Sequence, residues 1–421
     1  MTGLKSKELL KQRQYMSLTA GFVGFSMWLP AIGLPAGPTS LQIADIVSLC
    51  SWPLAISYLP RLCWRSATVI LLSLLSIILS FIHSGDPFVF IYYILFMTPF
   101  MILISVIIKL PDARWMFLKW FVVAGVISCF LSFLQISIGS SLDFRTNTNF
   151  SSPIQSGRGY AFFPEASTFA THVIYLLGVS LFALRSGVVK RFFKYGGVAA
   201  ILILAAVAVT LSRSSSVILI APAVFVLSYL KGRPMTYTGV LGLLIAAAFV
   251  SILLQLYVEN FYADRAAGSA LRSIWLRGIT MLAGFSVIPN GEVFGVGLGN
   301  NGEVTTRSFE VARSLGFQLI LLPEGVNSFI IARIFEEGWM ALLLFIISSF
   351  MLFKLAFRGI NDPVVGMVLV MAFSSFLISG LVTGYRGIYM NWFWIAAAPS
   401  LATVTLPRNR ATNSENGEVN I

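Results

Sequence analysis

The stretch PFVFIYYILFMTPFMILISVII, residues 87–108, carries no charged side chain anywhere along its length, and this decides the fold. At a rise of about 1.5 Å per residue, a helix of that length crosses a hydrocarbon core of about 30 Å. Similar runs recur on both sides of it. They predict spans at about 15–33, 41–60, 66–83, 87–108, 115–138, 162–184, 195–211, 214–230, 236–257, 328–353, 363–383 and 387–406. Helix is the form expected of each, because lipid cannot satisfy free backbone donors and acceptors. Composition agrees: 57% of the residues are hydrophobic and 11% charged, against about 25% charged in a soluble domain. The expectation is an all-α integral membrane protein of about 12 transmembrane helices. It divides into nine helices over 1–257, a long and partly helical loop over 258–327, three helices over 328–406, and a polar, disordered tail over 407–421.

The net charge of +12 does not point to nucleic acid, because the basic residues are scattered between the spans rather than gathered on one face. They alternate instead. Lys5, Lys7, Lys11 and Arg13 precede the first span, and Arg61, Arg65, Lys109, Arg114, Lys119, Arg185, Lys190, Arg191 and Lys194 mark later turns on the same side. Lys231, Arg233, Lys354, Arg358, Arg408 and Arg410 continue the series. The positive-inside rule puts all of these, with both termini, in the cytoplasm, so that 139–161 and 258–327 face outward. All nine lysines then fall inside, and the outer side is basic through arginine alone. Arginine binds phosphate through a planar fork, which lysine cannot do. The first apolar run has no small-residue cleavage site and reads as an uncleaved anchor. Cys50, Cys63 and Cys129 lie in or beside spans and suggest neither a disulfide framework nor a zinc site.

Four stretches of the outer side hold most of its unusual residues. Within 268–286, Leu271, Ile274, Trp275, Gly278, Leu282 and Phe285 form one helical stripe flanked by Arg272 and Arg277, as in a helix lying at a membrane surface. It is followed by Pro289-Asn290-Gly291 and by GVGLGN, 295–300, whose alternating glycines would let the backbone approach an anion closely. No strand precedes these glycines, so they are not a dinucleotide fingerprint. Asn327-Ser328-Phe329-Ile330 opens the tenth span, with Glu336-Glu337-Gly338 about two turns deeper. RGYAFFPEAS, 158–167, opens the sixth, where Pro164 suits a first helical turn and Glu165 a positive helix end. His172 follows on the same face and reads as a packing residue. Arg213 sits in the tight turn LSRSSS, 211–216.

In this order the stretches resemble the O-antigen polymerase and ligase superfamily, over roughly residues 150–345. Its members are GT-C-like membrane glycosyltransferases that handle undecaprenyl-pyrophosphate-linked glycans. The resemblance implies a bacterial inner-membrane enzyme that uses lipid-linked glycan as donor and acceptor, on the periplasmic side, beside a chain-length regulator and a flippase. The donor is already activated, so no cofactor is implied, and no DxD pair or His/Asp/Glu cluster suggests a metal. Arg158, Arg213 and Arg272 are the first candidates for phosphate contacts, with Arg277 and Arg313 behind them. Gly295, Gly297 and Asn327 would line the same site. Glu165 is the first candidate for the base and Glu336 the second. Family members, ligases above all, usually carry a histidine immediately before the motif asparagine; here that position is Val326, and the two histidines of the chain, His83 and His172, lie outside the loop. This favours a polysaccharide polymerase over an O-antigen ligase. A lipid-linked sugar flippase is the alternative from another class.

Overall fold

The computed structural model describes residues 2–30, 32–36, 39–138, 159–163, 166–186, 195–212, 267–300, 302–316, 325–326, 328–358, 362–381 and 389–404. These residues are mostly helical. Among them, five helices are long and apolar enough to cross a membrane: Trp64–Ser84, Pro87–Lys109, Pro111–Ile138, Phe329–Ala356 and Pro363–Gly380. A sixth span is formed if a bent pair, Ile43–Cys50 and Trp52–Arg61, is counted as one. Each matches an expected span to within a few residues. The expected spans 214–230 and 236–257 lie outside the described residues.

The helices, in chain order, are α1 Thr2–Ser26, α2 Ile43–Cys50, α3 Trp52–Tyr58, α4 Trp64–Ser84, α5 Pro87–Tyr92, α6 Thr98–Lys109 and α7 Pro111–Ile138. There follow α8 Ala166–Ser186, α9 Tyr195–Ser212, α10 Ala267–Phe285, α11 Gly302–Ser314, α12 Phe329–Arg358, α13 Pro363–Leu381 and α14 Tyr389–Val404. A π-helical turn, Tyr93–Met97, joins α5 to α6 into one rod.

Two expected spans are corrected. The first stops at Ser26 rather than 33, and the chain turns into a short antiparallel hairpin, β1 Gly33–Ala36 and β2 Thr39–Gln42. Pro30 accounts for the end of α1, since in a continued helix its ring would clash with the Ser26 carbonyl four residues earlier. The second expected span is bent by 50° between α2 and α3. Pro53 stands at the start of α3, where its ring would clash with a carbonyl one turn earlier in a continuous helix. The expected spans 162–184 and 195–211 coincide with α8 and α9 to within a few residues.

The packing has the polarity of a protein in an apolar solvent. On α4 the serines at 66, 73, 76 and 80 are buried, while Leu71, Leu75, Ile78 and Ile82 are exposed. Water would favour the reverse. Small and hydroxyl residues at an interface let helices approach closely and hydrogen-bond across it. Ser66 lies 2.9 Å from Ser400 on α14, and Ser80 donates to the Glu336 carbonyl on α12 at 2.6 Å. α1 meets α7 in the same way: a Cβ at Gly24 would stand 2.4 Å from the Phe117 carbonyl oxygen. The centre is aromatic, with Trp392 and Trp394 of α14 fully buried against Tyr93, Phe329, Phe345 and Phe376.

Candidate functional site

Helix α12 is broken at Gly338, whose φ of 64° and ψ of −140° interrupt the helical ladder. The backbone groups released there are taken up by the loop that follows α10. Val296 N–H donates to the Phe335 carbonyl at 2.9 Å, Gly297 N–H to that of Glu336 at 3.2 Å, and Trp339 N–H to that of Val293 at 3.0 Å. A break inside an apolar span is tolerated only where the freed groups find such partners. The contact requires glycine on both sides. A Cβ at Gly295 would stand 2.5 Å from the Phe335 carbonyl, one at Gly297 would stand 1.7 Å from the Ser84 carbonyl, and one at Gly338 would stand 2.3 Å from the Val293 carbonyl. The loop is also tied to the end of α4. Asn300 Nδ2 donates to the Ser84 carbonyl at 3.0 Å, and Asp86 N–H donates to the Leu298 carbonyl at 2.7 Å.

Beneath this loop lies a group of buried charges. Arg333 and Glu337 are one turn apart on α12, fully buried and ion-paired, and Ser76 of α4 donates to the same carboxylate. The Arg333 guanidinium sits 4.3 Å above the Trp392 ring and 5.2 Å from the centre of Tyr93. Glu336 is also fully buried. A lone buried charge is expensive, and only a partner of good geometry offsets its desolvation.

Above the loop is an open cleft of about 790 Å³, bordered by His83, Glu292, Phe294, Asn300, Glu303 and Arg307. Arg307 rises from α11 and is gripped from two sides. It meets both oxygens of Glu292 at 2.9 Å, and its Nη2 lies 3.7 Å from Glu303. Its guanidinium also lies 5.4 Å from the Phe335 ring centre. Burial works against the charge of Arg307, but the Glu292 hydrogen bond and the charges of Glu292 and Glu303 hold its pKa above the ordinary value. His83 at the end of α4 faces Phe294, ring centres 6.0 Å apart.

The residues singled out by sequence fall unevenly on this geometry. Gly295 and Gly297 are in the loop, but the N–H groups of Gly295, Val296 and Gly297 are all given to protein carbonyls. Their glycine character serves backbone against backbone, which corrects the anion-cradle expectation. Glu336 is in the buried group and does not border the cleft. Arg313 is exposed at the far end of α11, and Arg277 is half-buried on α10; neither borders the cleft. Arg272 lies on α10, with its side chain outside the described residues. Arg158, Glu165, Arg213 and Asn327 lie outside them too. On α10, Leu282 and Phe285 are exposed while Ile279 and Ala283 are buried, so the described part of the expected apolar stripe faces outward.

Sequence reading missed Arg307, Glu292 and His83 as a group. They are 15 to 224 positions apart by number, and only folding joins the end of α4 to the loop. It also missed Gln135. The Gln135 Oε1 accepts from the N–H groups of Tyr160 and Ala161 at 3.1 and 2.6 Å, and Nε2 donates to the Ala161 carbonyl at 3.0 Å. This fixes the stretch between Arg158 and Glu165, where Ala161 takes a φ of 48°. A lone glutamine in an apolar run, ahead of a loop, was the available signal. His172 is held as a packing residue: its Nδ1 is 3.1 Å from the Thr168 carbonyl, and it is ringed by Trp28, Phe163 and Tyr175. Against models of known protein families the chain finds no match, and no curated protein matches it either.

Proposed function

We propose that this chain is a membrane glycosyltransferase that polymerises undecaprenyl-pyrophosphate-linked repeat units on the periplasmic side of the bacterial inner membrane. The observation that carries the reading is the motif series, RGYAFFPEAS, LSRS, Arg272-x-x-Trp275 with GVGLGN, and NSFI with EEG, in that order. Two of its described parts are in contact. The loop over 295–300 is seated on the break of α12, inside the last motif. The stretch 159–163 is pinned near the C-terminal end of α7. Because α6 and α7 meet across Lys109–Pro111, that end of α7 points the same way as Asp86 and the loop.

In the proposed reaction an acceptor sugar hydroxyl attacks the anomeric carbon of the growing chain. The bond from that carbon to the pyrophosphate oxygen breaks, and lipid pyrophosphate leaves with the electron pair. Arginines stabilise the charge that grows on the leaving group; Arg158, Arg213 and Arg272 are assigned that role. A base accepts the hydroxyl proton. Glu165 is assigned to it, and His83, which borders the cleft, joins it as a candidate. Glu336 is the weaker choice because it is enclosed beneath the loop.

The lipid-linked glycan that accumulates in a deletion strain tests the reading: single repeat units are expected, whereas long unattached chains mean a ligase. A flippase is the second reading, favoured by the broken α12 with ionisable groups beside the break, as in transporters. It would move a fluorescent lipid-linked sugar across liposomes without lengthening it.

A further inference from the structure

We infer that the open cleft at the end of α4 receives the sugar end of the acceptor and selects against saccharides that carry acidic groups. This rests on the glycosyltransferase reading and gives the cleft a substrate class. At about 790 Å³ the cleft is of the size that takes a small ligand. Its charge decides what kind. Among the described residues, Glu292 and Glu303 face a single cation, Arg307, so these three side chains together carry a net charge of −1.

That cation is not available to an incoming anion. Both terminal nitrogens of Arg307 are held at 2.9 Å by the carboxylate of Glu292, and Glu303 stands at 3.7 Å. A phosphate or uronate would have to displace a carboxylate that already has the forked geometry arginine favours. The leaving pyrophosphate therefore belongs elsewhere. Among the described side chains, the cleft presents the half-exposed carboxylate of Glu303 and the rings of His83 and Phe294. A carboxylate accepts hydrogen bonds from hydroxyl or amine donors. An exposed ring face, with its negative quadrupole, suits the C–H face of a pyranose. Donor-rich, uncharged or amino-bearing sugars match this border, and acidic ones are repelled.

The test is direct binding to the full-length chain in detergent, without lipid-linked substrate, read by saturation-transfer NMR. The probes are a panel of neutral disaccharides and their uronate counterparts, such as lacto-N-biose beside the glucuronate–N-acetylglucosamine disaccharide, with inorganic pyrophosphate as a third probe. Neutral members of the panel should bind at least on the order of tenfold more tightly than their acidic partners, and Phe294→Ala should abolish their signal. Glu303→Lys, a change at an exposed position, turns the charge of these three side chains from −1 to +1 and should bring the acidic partners level or ahead. Three results overturn the inference: no neutral sugar in the panel binding, acidic sugars binding the wild type equally well, or pyrophosphate competing with the neutral sugars. Discrimination that persists in a chain unable to polymerise would overturn the proposed function and leave the cleft assignment standing. A polymerising chain with no such binding would do the opposite.

Discussion

Arg333 and Glu337 stand one turn apart inside α12, where neither meets water. Removing one partner from a buried pair leaves an uncompensated charge, which costs roughly 3–5 kcal/mol, while replacing both with apolar residues is often neutral. Glu337→Gln should therefore lower the thermal unfolding midpoint in detergent sharply, and Arg333→Met with Glu337→Leu should recover most of the loss. An unchanged midpoint in the single variant would remove the pair from the account of stability. At the proposed phosphate site, Arg272→Lys keeps the charge and loses the fork. Turnover should fall on the order of tenfold or more, since charge-assisted hydrogen bonds are worth ~1.5–3 kcal/mol. A normal product chain length from Arg272→Lys, at wild-type protein levels, would leave that arginine as an interfacial anchor only. At this scale the sequence was half legible. Two acids in an apolar span announced themselves, because ionisable groups there are rare. The partner of Glu337 was present only as a spacing, since Arg333 stands four positions before it and the helix brings the two side chains together.

The break of α12 and the loop seated on it form one unit, and its glycines separate two kinds of constraint. Gly297→Ala and Gly338→Ala each press a methyl group into backbone, at 1.7 and 2.3 Å, and add the cost of a positive φ. Gly291→Ala has a φ of 72° but meets nothing within 4 Å, so only the conformational cost of about 1–2 kcal/mol remains. Hydrogen exchange over 292–300 should rise markedly in the first two variants and little in the third. Equal protection in all three would mean the loop is not held by the α12 break. Spans were the most legible elements, because α4, α5 with α6, α7, α12 and α13 each hold an apolar window long enough to cross a membrane. The hairpin over 33–42 and the bend before Pro53 were hidden by hydropathy, which prolines barely disturb. The loop glycines were noticed for the right reason, close approach, but the approaching group was backbone rather than anion. A glycine pattern carries no record of what comes near it.

For the whole molecule, the charge alternation makes a claim about sides. An impermeant thiol reagent applied to spheroplasts should label a cysteine placed at Arg313, which is exposed. A cysteine at 188 should react only after the membrane is opened. Labelling of 313 from the cytoplasmic side alone would reverse the topology and with it the proposed chemistry. Position 307, an arginine that the charge alternation would also put outside, is a poor reporter because Arg307 is committed to Glu292 and Glu303. The central claim is that this one chain joins lipid-linked repeat units without a metal or a nucleotide. It is tested most directly by purified protein in lipid nanodiscs, given synthetic undecaprenyl-pyrophosphate-linked repeat units and excess EDTA, with products resolved by length. The account predicts a ladder of lengthened lipid-linked glycans and release of undecaprenyl pyrophosphate. Repeat units that stay single, or a ladder that appears only when magnesium or manganese is restored, would contradict it.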